Sequence, residues 1–187
     1  MKISNVNIYG LQESIRAAKM PKSINISTLT DELTEGIQGL AKAPIGSGHD
    51  NWLNGVIVQF DLTASLKFWP QFQRYHFADF VSSQSTMHRI TQFNVEGQCN
   101  KYVTQKAIEN IKELVEYYNF NPTDENYLAV LYNIPSGFEL TARITTNYRQ
   151  LKTMYNQRKN HRLPEWRKFC DWIKGLPHSE LIVKEVS

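Results

Sequence analysis

Apolar positions along this chain change their period several times, and each change predicts an element. Residues 3–9 alternate roughly as a short strand does, and 11–19 carry helix formers until Pro21 stops them. A second helix is expected over 29–41, capped by Ser27 or Thr28. The stretch KAPIGSGHDNWLNG then reads as a loop, and in VIVQFDL the side chains of Val56, Val58, Phe60 and Leu62 fall on one face of a strand. A helix is expected over 65–78, with Pro70 in its first turn or at a kink. Thr104 is placed to cap a helix in which Ile108, Ile111, Val115 and Tyr118 recur at helical spacing, and Thr123 to cap another across 127–132. After the break at Ile134-Pro135-Ser136-Gly137, residues 138–145 read as a strand or as an extended entry to a helix over 146–158. Pro164 suits the first turn of a last helix whose buried stripe is Trp166, Phe169, Cys170 and Ile173, ended by Gly175 and Pro177. Helices outnumber strands and the order is mixed, so the predicted class is α+β, in one domain over 1–187.

Composition narrows the function classes. With 187 residues, 41% of them hydrophobic, the chain can bury a core, and no apolar run approaches the roughly 20 residues that a spanning helix needs. The start MKISNVNIYG lacks the apolar stretch of an export signal. Only Cys99 and Cys170 are present, so no disulfide framework is expected and a reducing cytoplasm is the expected location. The net charge of +3 hides an asymmetry: residues 143–174 hold nine Lys and Arg against Glu165 and Asp171, a local +7, and the rest of the chain is −4. That split points to an anionic partner, either a polymer or a small phosphate.

The candidate chemistry centres on TNYRQLKTMYNQR, residues 146–158. On a helix Asn147, Leu151, Met154 and Arg158 share one side and Arg149 and Asn156 another, with no acidic residue from 146 to 160. A solvated face would ordinarily pair its cations with Glu; these need a counter-anion or open water. Upstream, Gln71, Arg74 and His76 precede Ser82, Ser83, Ser85 and Thr86, a forked donor followed by hydroxyls. Gly46-Ser47-Gly48-His49-Asp50-Asn51 is a loop of the kind that can cradle phosphate through its backbone, or simply connect two elements. His76 and Asp79 would lie three apart on the expected helix, but no second ligand pair accompanies them, and no metal site is expected. Cys170 reads as a small buried hydrophobe.

These segments, taken together, resemble the flavin-dependent thymidylate synthase family over about residues 49–173. The family's Gln-x-x-Arg-His-Arg is similar to Gln71-Phe72-Gln73-Arg74-Tyr75-His76, preceded by a His at the distance of His49. Its Leu-Pro, then Asn-x-Arg-x-Leu, then an Arg nine residues past that motif's Arg, is similar to Ile134-Pro135, Asn147-Tyr148-Arg149-Gln150-Leu151 and Arg158. Pro164-Glu165-Trp166 occupies the place of the family's Gln-x-Glu. The resemblance implies mixed helices around a small antiparallel sheet, and a homotetramer with its sites between subunits. It implies reductive methylation of dUMP to dTMP with FAD, methylenetetrahydrofolate and NADPH. Arg158 would face the uracil ring and favour ionisation of its N3. Gln71, Ser83, Ser85 and Arg89 would contact the nucleotide. Arg74, His76, Asn147, Arg149 and Thr153 would bind the flavin, with His49 and Asn51 near its ring.

The chain also departs from that pattern. Arg-His-Arg has become Arg74-Tyr75-His76; Met87 stands where an Arg is expected, with Arg89 nearby; and another phosphate-binding Arg falls on Val130. Two other readings follow. One is a diverged member that binds another nucleotide or a protein, for instance a viral accessory factor. The other, less favoured, is a nucleic-acid-binding module on the basic C-terminal third.

Overall fold

The structure, a computed structural model, describes residues 1–183. Strands β1 (Lys2–Tyr9), β2 (Ile57–Ser65), β3 (Ala78–Ser83) and β4 (Glu139–Asn147) form one antiparallel sheet in the order β1-β2-β4-β3. Helices α1 (Leu11–Ala18), α2 (Glu35–Lys42), α3 (Trp69–Phe72), α4 (Thr86–Arg89), α5 (Val95–Gln98), α6 (Gln105–Phe120), α7 (Asp124–Tyr132), α8 (Tyr148–Arg158) and α9 (Pro164–Lys174) complete it. The class is α+β, as the mixed order of elements predicts. None of the described helices is long and apolar enough to cross a membrane.

The pairing of β2 with β4 shows why the alternation in VIVQFDL is legible. Val58, Phe60, Leu62 and Ala64 are fully buried, and the intervening residues are half-buried and polar. Across the ladder Thr63 and Thr141 share a hydrogen bond of 2.8 Å, Arg143 Nη1 meets Asp61 Oδ1 at 3.1 Å, and Leu66 N–H donates to the Phe138 carbonyl at 2.9 Å. The period of two runs the same way through β4, with Leu140, Ala142 and Ile144 inward.

The chain folds as two compact units, the first made of residues 1–4, 61–74 and 80–143, the second of 5–60, 75–79 and the described residues from 144 on. In the first, α6 packs on α7 and on α5, and Ile90, Val130, Phe138 and Leu140 form one core, with Val95, Ile108 and Ile111 forming another. Thr104 and Thr123 cap α6 and α7 as expected, accepting from Ala107 N–H at 3.3 Å and Asn126 N–H at 3.2 Å. Rings of Phe68, Trp69, Phe72 and Phe80 gather at centroid distances such as 5.0 Å for Trp69 with Phe80.

That aromatic gathering corrects the helix expected over 65–78. Strand β2 continues to Ser65, whose hydroxyl and carbonyl both accept from Phe68 N–H, at 3.2 and 2.9 Å, and turn the chain. Only the single turn of α3 follows, and residues 78–83 are β3. His76 and Asp79 therefore never share a helix face. The second helix begins at Glu35, later than expected: Ser27 and Thr28 lie instead in a 3-10 turn over Ile26–Thr28, where the Asn25 side chain accepts from Ser27 N–H at 3.0 Å, and Thr34 is the N-cap residue without a side-chain capping bond.

In the second unit α8 packs on α9 and on the 3-10 turn at Asn51–Gly55, and α1 packs on that same turn. Phe60 lies against Trp172 at 4.6 Å and Phe169 at 6.0 Å, so α9 lays its rings on the inward side of β2. The Tyr148 hydroxyl donates to the Pro177 carbonyl and fastens the chain just past the end of α9. Gly10 adopts φ +70°, and a Cβ there would stand 2.6 Å from the Gly55 carbonyl oxygen. Gly10→Ala is therefore expected to lower stability by about 1–3 kcal/mol, read as a lower urea midpoint with an unchanged slope.

Candidate functional site

Helix α8 begins where β4 ends, so the chain must be capped at the point where a ladder gives way to a helix. Asn147 does this: its side-chain oxygen accepts from Gln150 N–H at 2.8 Å. Its side-chain amide N–H groups have no hydrogen-bond partner among the described residues. The helix then carries apolar Leu151 and Met154 into the core, and its polar residues divide into two neighbourhoods.

The first neighbourhood is built on Asp50, which is 0% exposed. Arg149 Nε donates to its Oδ1 at 3.0 Å and Lys152 Nζ to its Oδ2 at 2.6 Å. Lys152 also donates to the carbonyls of Ala41 and Ala43, both at 2.7 Å, so all three of its protons are committed. Here lies the counter-anion that the acid-free segment 146–160 requires, brought by the Gly-rich loop. This network pins both ends of that loop to α8 and leaves His49 and Asn51 exposed beside the anchored Asp50. Thr153 donates its hydroxyl to the Arg149 carbonyl at 3.2 Å, and Asn156 donates to the Lys152 carbonyl at 2.9 Å. Trp52 Nε1, two residues past Asp50, is buried without a hydrogen-bond partner among the described residues.

The second neighbourhood is built on Arg158. Its Nε donates to the Tyr75 hydroxyl at 2.8 Å, and that hydroxyl donates in turn to Gln157 Oε1 at 2.9 Å. The guanidinium carbon lies 4.8 Å from the Trp166 ring centroid and 5.6 Å from that of Tyr75, rings set at 68° to one another. The loop bearing Tyr75 is tied further by the Thr146 hydroxyl, which donates to the Phe77 carbonyl at 2.6 Å. With Tyr75 turned inward, its chain neighbours Arg74 and His76 are exposed.

One pattern joins the two neighbourhoods. Each guanidinium is held through Nε, and neither Arg149 nor Arg158 has a hydrogen-bond partner for Nη1 or Nη2 among the described residues. A fork held at its base keeps the two parallel donors that match a carboxylate, a phosphate or a pair of ring acceptors. The two forks are nine residues apart, two and a half helical turns, and so leave α8 on opposite sides. Within one chain they share no hydrogen-bond partner among the described residues.

The remaining candidates lie in the first unit. Gln71 is half-buried on α3 between the anchored Trp69 and Phe72. Ser83 is exposed at the end of β3, and Ser85 is half-buried at the N-cap of α4, where its side chain makes no capping bond. Arg89 donates to Gln92 Oε1 at 2.8 Å. Met87 is exposed and its carbonyl accepts from the Tyr127 hydroxyl at 2.7 Å. Val130 is 0% exposed in the core with Phe138, so that position presents nothing to a ligand. No group of three or more metal-ligating side chains occurs among the described residues.

Sequence alone does not single out Asp50, Lys152, Tyr75 or Gln157 as members of the site. Lys152 sits one turn from Arg149, and Asp50 is the acid of the Gly-rich loop, but their pairing across 102 positions has no local signature. Burial pushes the Cys170 thiol up to about 11, which leaves it unreactive at neutral pH.

Mixed helices with a small four-stranded antiparallel sheet match the fold of flavin-dependent thymidylate synthase. Two solved structures of that enzyme, ThyX from Helicobacter pylori, share it. One, complexed with FAD and dUMP, is 14% identical with a TM-score of 0.73, covering 97% of this chain and 98% of that one. The other, also with FAD and dUMP, is 14% identical with a TM-score of 0.74, covering 97% of each chain. No family model matches the sequence, and no curated protein matches it.

Each neighbourhood can be tested by what its burial costs. Asp50→Asn leaves a buried Lys152 ammonium without its carboxylate and is expected to cost about 3–5 kcal/mol, read by urea unfolding; Asp50→Asn combined with Lys152→Met is expected to recover part of that loss. Beside Arg158, His161 Nδ1 accepts from Leu163 N–H at 3.1 Å, and burial, with Arg158 and Arg167 nearby, holds its pKa below the ordinary value. Because the unfolded chain binds that proton more readily, His161 adds stability above pH about 6.5 that is lost as pH falls below it. His161→Gln should flatten that part of the pH–stability curve.

Proposed function

We propose that this chain binds FAD and a pyrimidine nucleotide and acts as a flavin-dependent thymidylate synthase, its sites completed by residues of a second copy in a homotetramer. The observation that carries this reading is the Arg158 fork, tethered at Nε and backed by the Trp166 ring, with both terminal nitrogens left to meet acceptors. Such a fork suits a planar, negatively polarised ring: donors aimed at a pyrimidine carbonyl stabilise the charge that builds when N3 ionises. The Arg149 fork, the amide of Asn147, and exposed Arg74, His76, His49 and Asn51 supply donors suited to a dinucleotide, and the Thr153 hydroxyl, its proton given to the Arg149 carbonyl, supplies an acceptor. Gln71, Ser83, Ser85 and Arg89 supply adaptable contacts for the nucleotide. Since the forks of Arg149 and Arg158 leave α8 on opposite sides, the reading places flavin and nucleotide in contact through a neighbouring copy. When bound, FAD would supply hydride, with methylenetetrahydrofolate giving the one-carbon unit and NADPH restoring the flavin.

A second reading rests on Val130 and Met87. A core valine and an exposed methionine stand where the resemblance calls for phosphate-binding arginines, and each missing charge-assisted bond is worth about 1.5–3 kcal/mol. On that reading the scaffold binds a different nucleotide or a protein and transfers no methyl group.

Calorimetry with dUMP and deoxyuridine, on protein whose flavin content is measured by absorbance after denaturation, separates them. Flavin bound near one per chain, dUMP held at least about tenfold tighter than deoxyuridine, and a loss of about ten- to a hundredfold in Arg158→Ala support the first reading. Colourless protein that takes up no FAD overturns it. Equal affinity for dUMP and deoxyuridine favours the second.

A further inference from the structure

Tyr75 occupies the position that, against the resemblance, counts as a lost histidine. We propose that it is instead the positioning residue for Arg158, an inference that rests on the reading of Arg158 as the nucleotide-facing fork.

A tyrosine hydroxyl has one proton and lone pairs to accept with. Here the proton goes to Gln157 Oε1 at 2.9 Å, so the oxygen is left as an acceptor for Arg158 Nε at 2.8 Å. The direction of the relay is thereby set: Gln157 orients Tyr75, and Tyr75 orients Arg158. An arginine side chain otherwise has several rotatable bonds, and holding Nε fixes the plane of the fork. The ring contributes separately. Tyr75 meets Trp166 edge-on at a centroid distance of 5.8 Å, and the guanidinium sits in the corner the two rings make. Trp166 is itself fully buried and packed edge-on against Phe169 at 5.8 Å, so the corner is anchored in the core of this unit.

Tyr75→Phe keeps the ring and removes only the acceptor. In arginine-selective ¹H–¹⁵N spectra of the full chain, with Arg158→Lys to assign the peak, the Arg158 Nε–H should exchange slowly in the native protein and about tenfold or more faster in Tyr75→Phe. The thermal midpoint should barely move, and dUMP affinity should fall about tenfold. Unchanged Nε–H exchange in Tyr75→Phe overturns the tether. Faster exchange with unchanged dUMP affinity overturns its role in positioning. If native protein binds no dUMP, the proposed function falls, and the exchange comparison still decides whether Tyr75 holds Arg158.

Discussion

A guanidinium held by Nε is the constraint on which this site depends. Arginine offers five donors in one plane, and a ligand that must compete for the inner nitrogen or reorganise a mobile side chain gains little from meeting it. In this chain Asp50 and Tyr75 remove both problems, the one for Arg149 and the other for Arg158. They use opposite physics. Asp50 is a buried charge whose desolvation is offset by two cations, and Tyr75 is a neutral hydroxyl supported by aromatic faces.

This division accounts for the composition of α8. Its cations have no acidic partner on the helix because one carboxylate from a distant loop serves two of them and a pair of rings serves the third. Lys152 is accordingly structural: buried and fully bonded, it secures the loop and offers nothing further to a ligand. The basic surplus of residues 143–174 is therefore smaller in effect than its formal charge. Of the nine cations, Arg162, Arg167, Lys168 and Lys174 remain exposed, and these are the ones a polymer would meet.

Much of the fold is legible in the sequence because the deciding signals are local. The threonine caps at 104 and 123, the alternation from Val56 to Leu62 and the stripe on α9 after Pro164 each follow from spacing alone. The helix expected over 65–78 does not form because Ser65 turns the chain and a cluster of rings holds α3 to one turn; the period of two in β3 is too short to assert itself in sequence. In the candidate site, Asn147, Arg149 and Arg158 can be found from their motif. What holds the two arginines cannot. Asp50 and Tyr75 lie 99 and 83 positions from the arginines they serve, and only the folded sheet brings those segments together.

The most direct measurement is a crystal structure of the full chain grown with FAD and dUMP. The account predicts ligand acceptors on Nη1 and Nη2 of Arg149 and of Arg158, with the Nε bonds to Asp50 and Tyr75 retained. Ligands bound away from both forks, or bound only by breaking those Nε bonds, would contradict it.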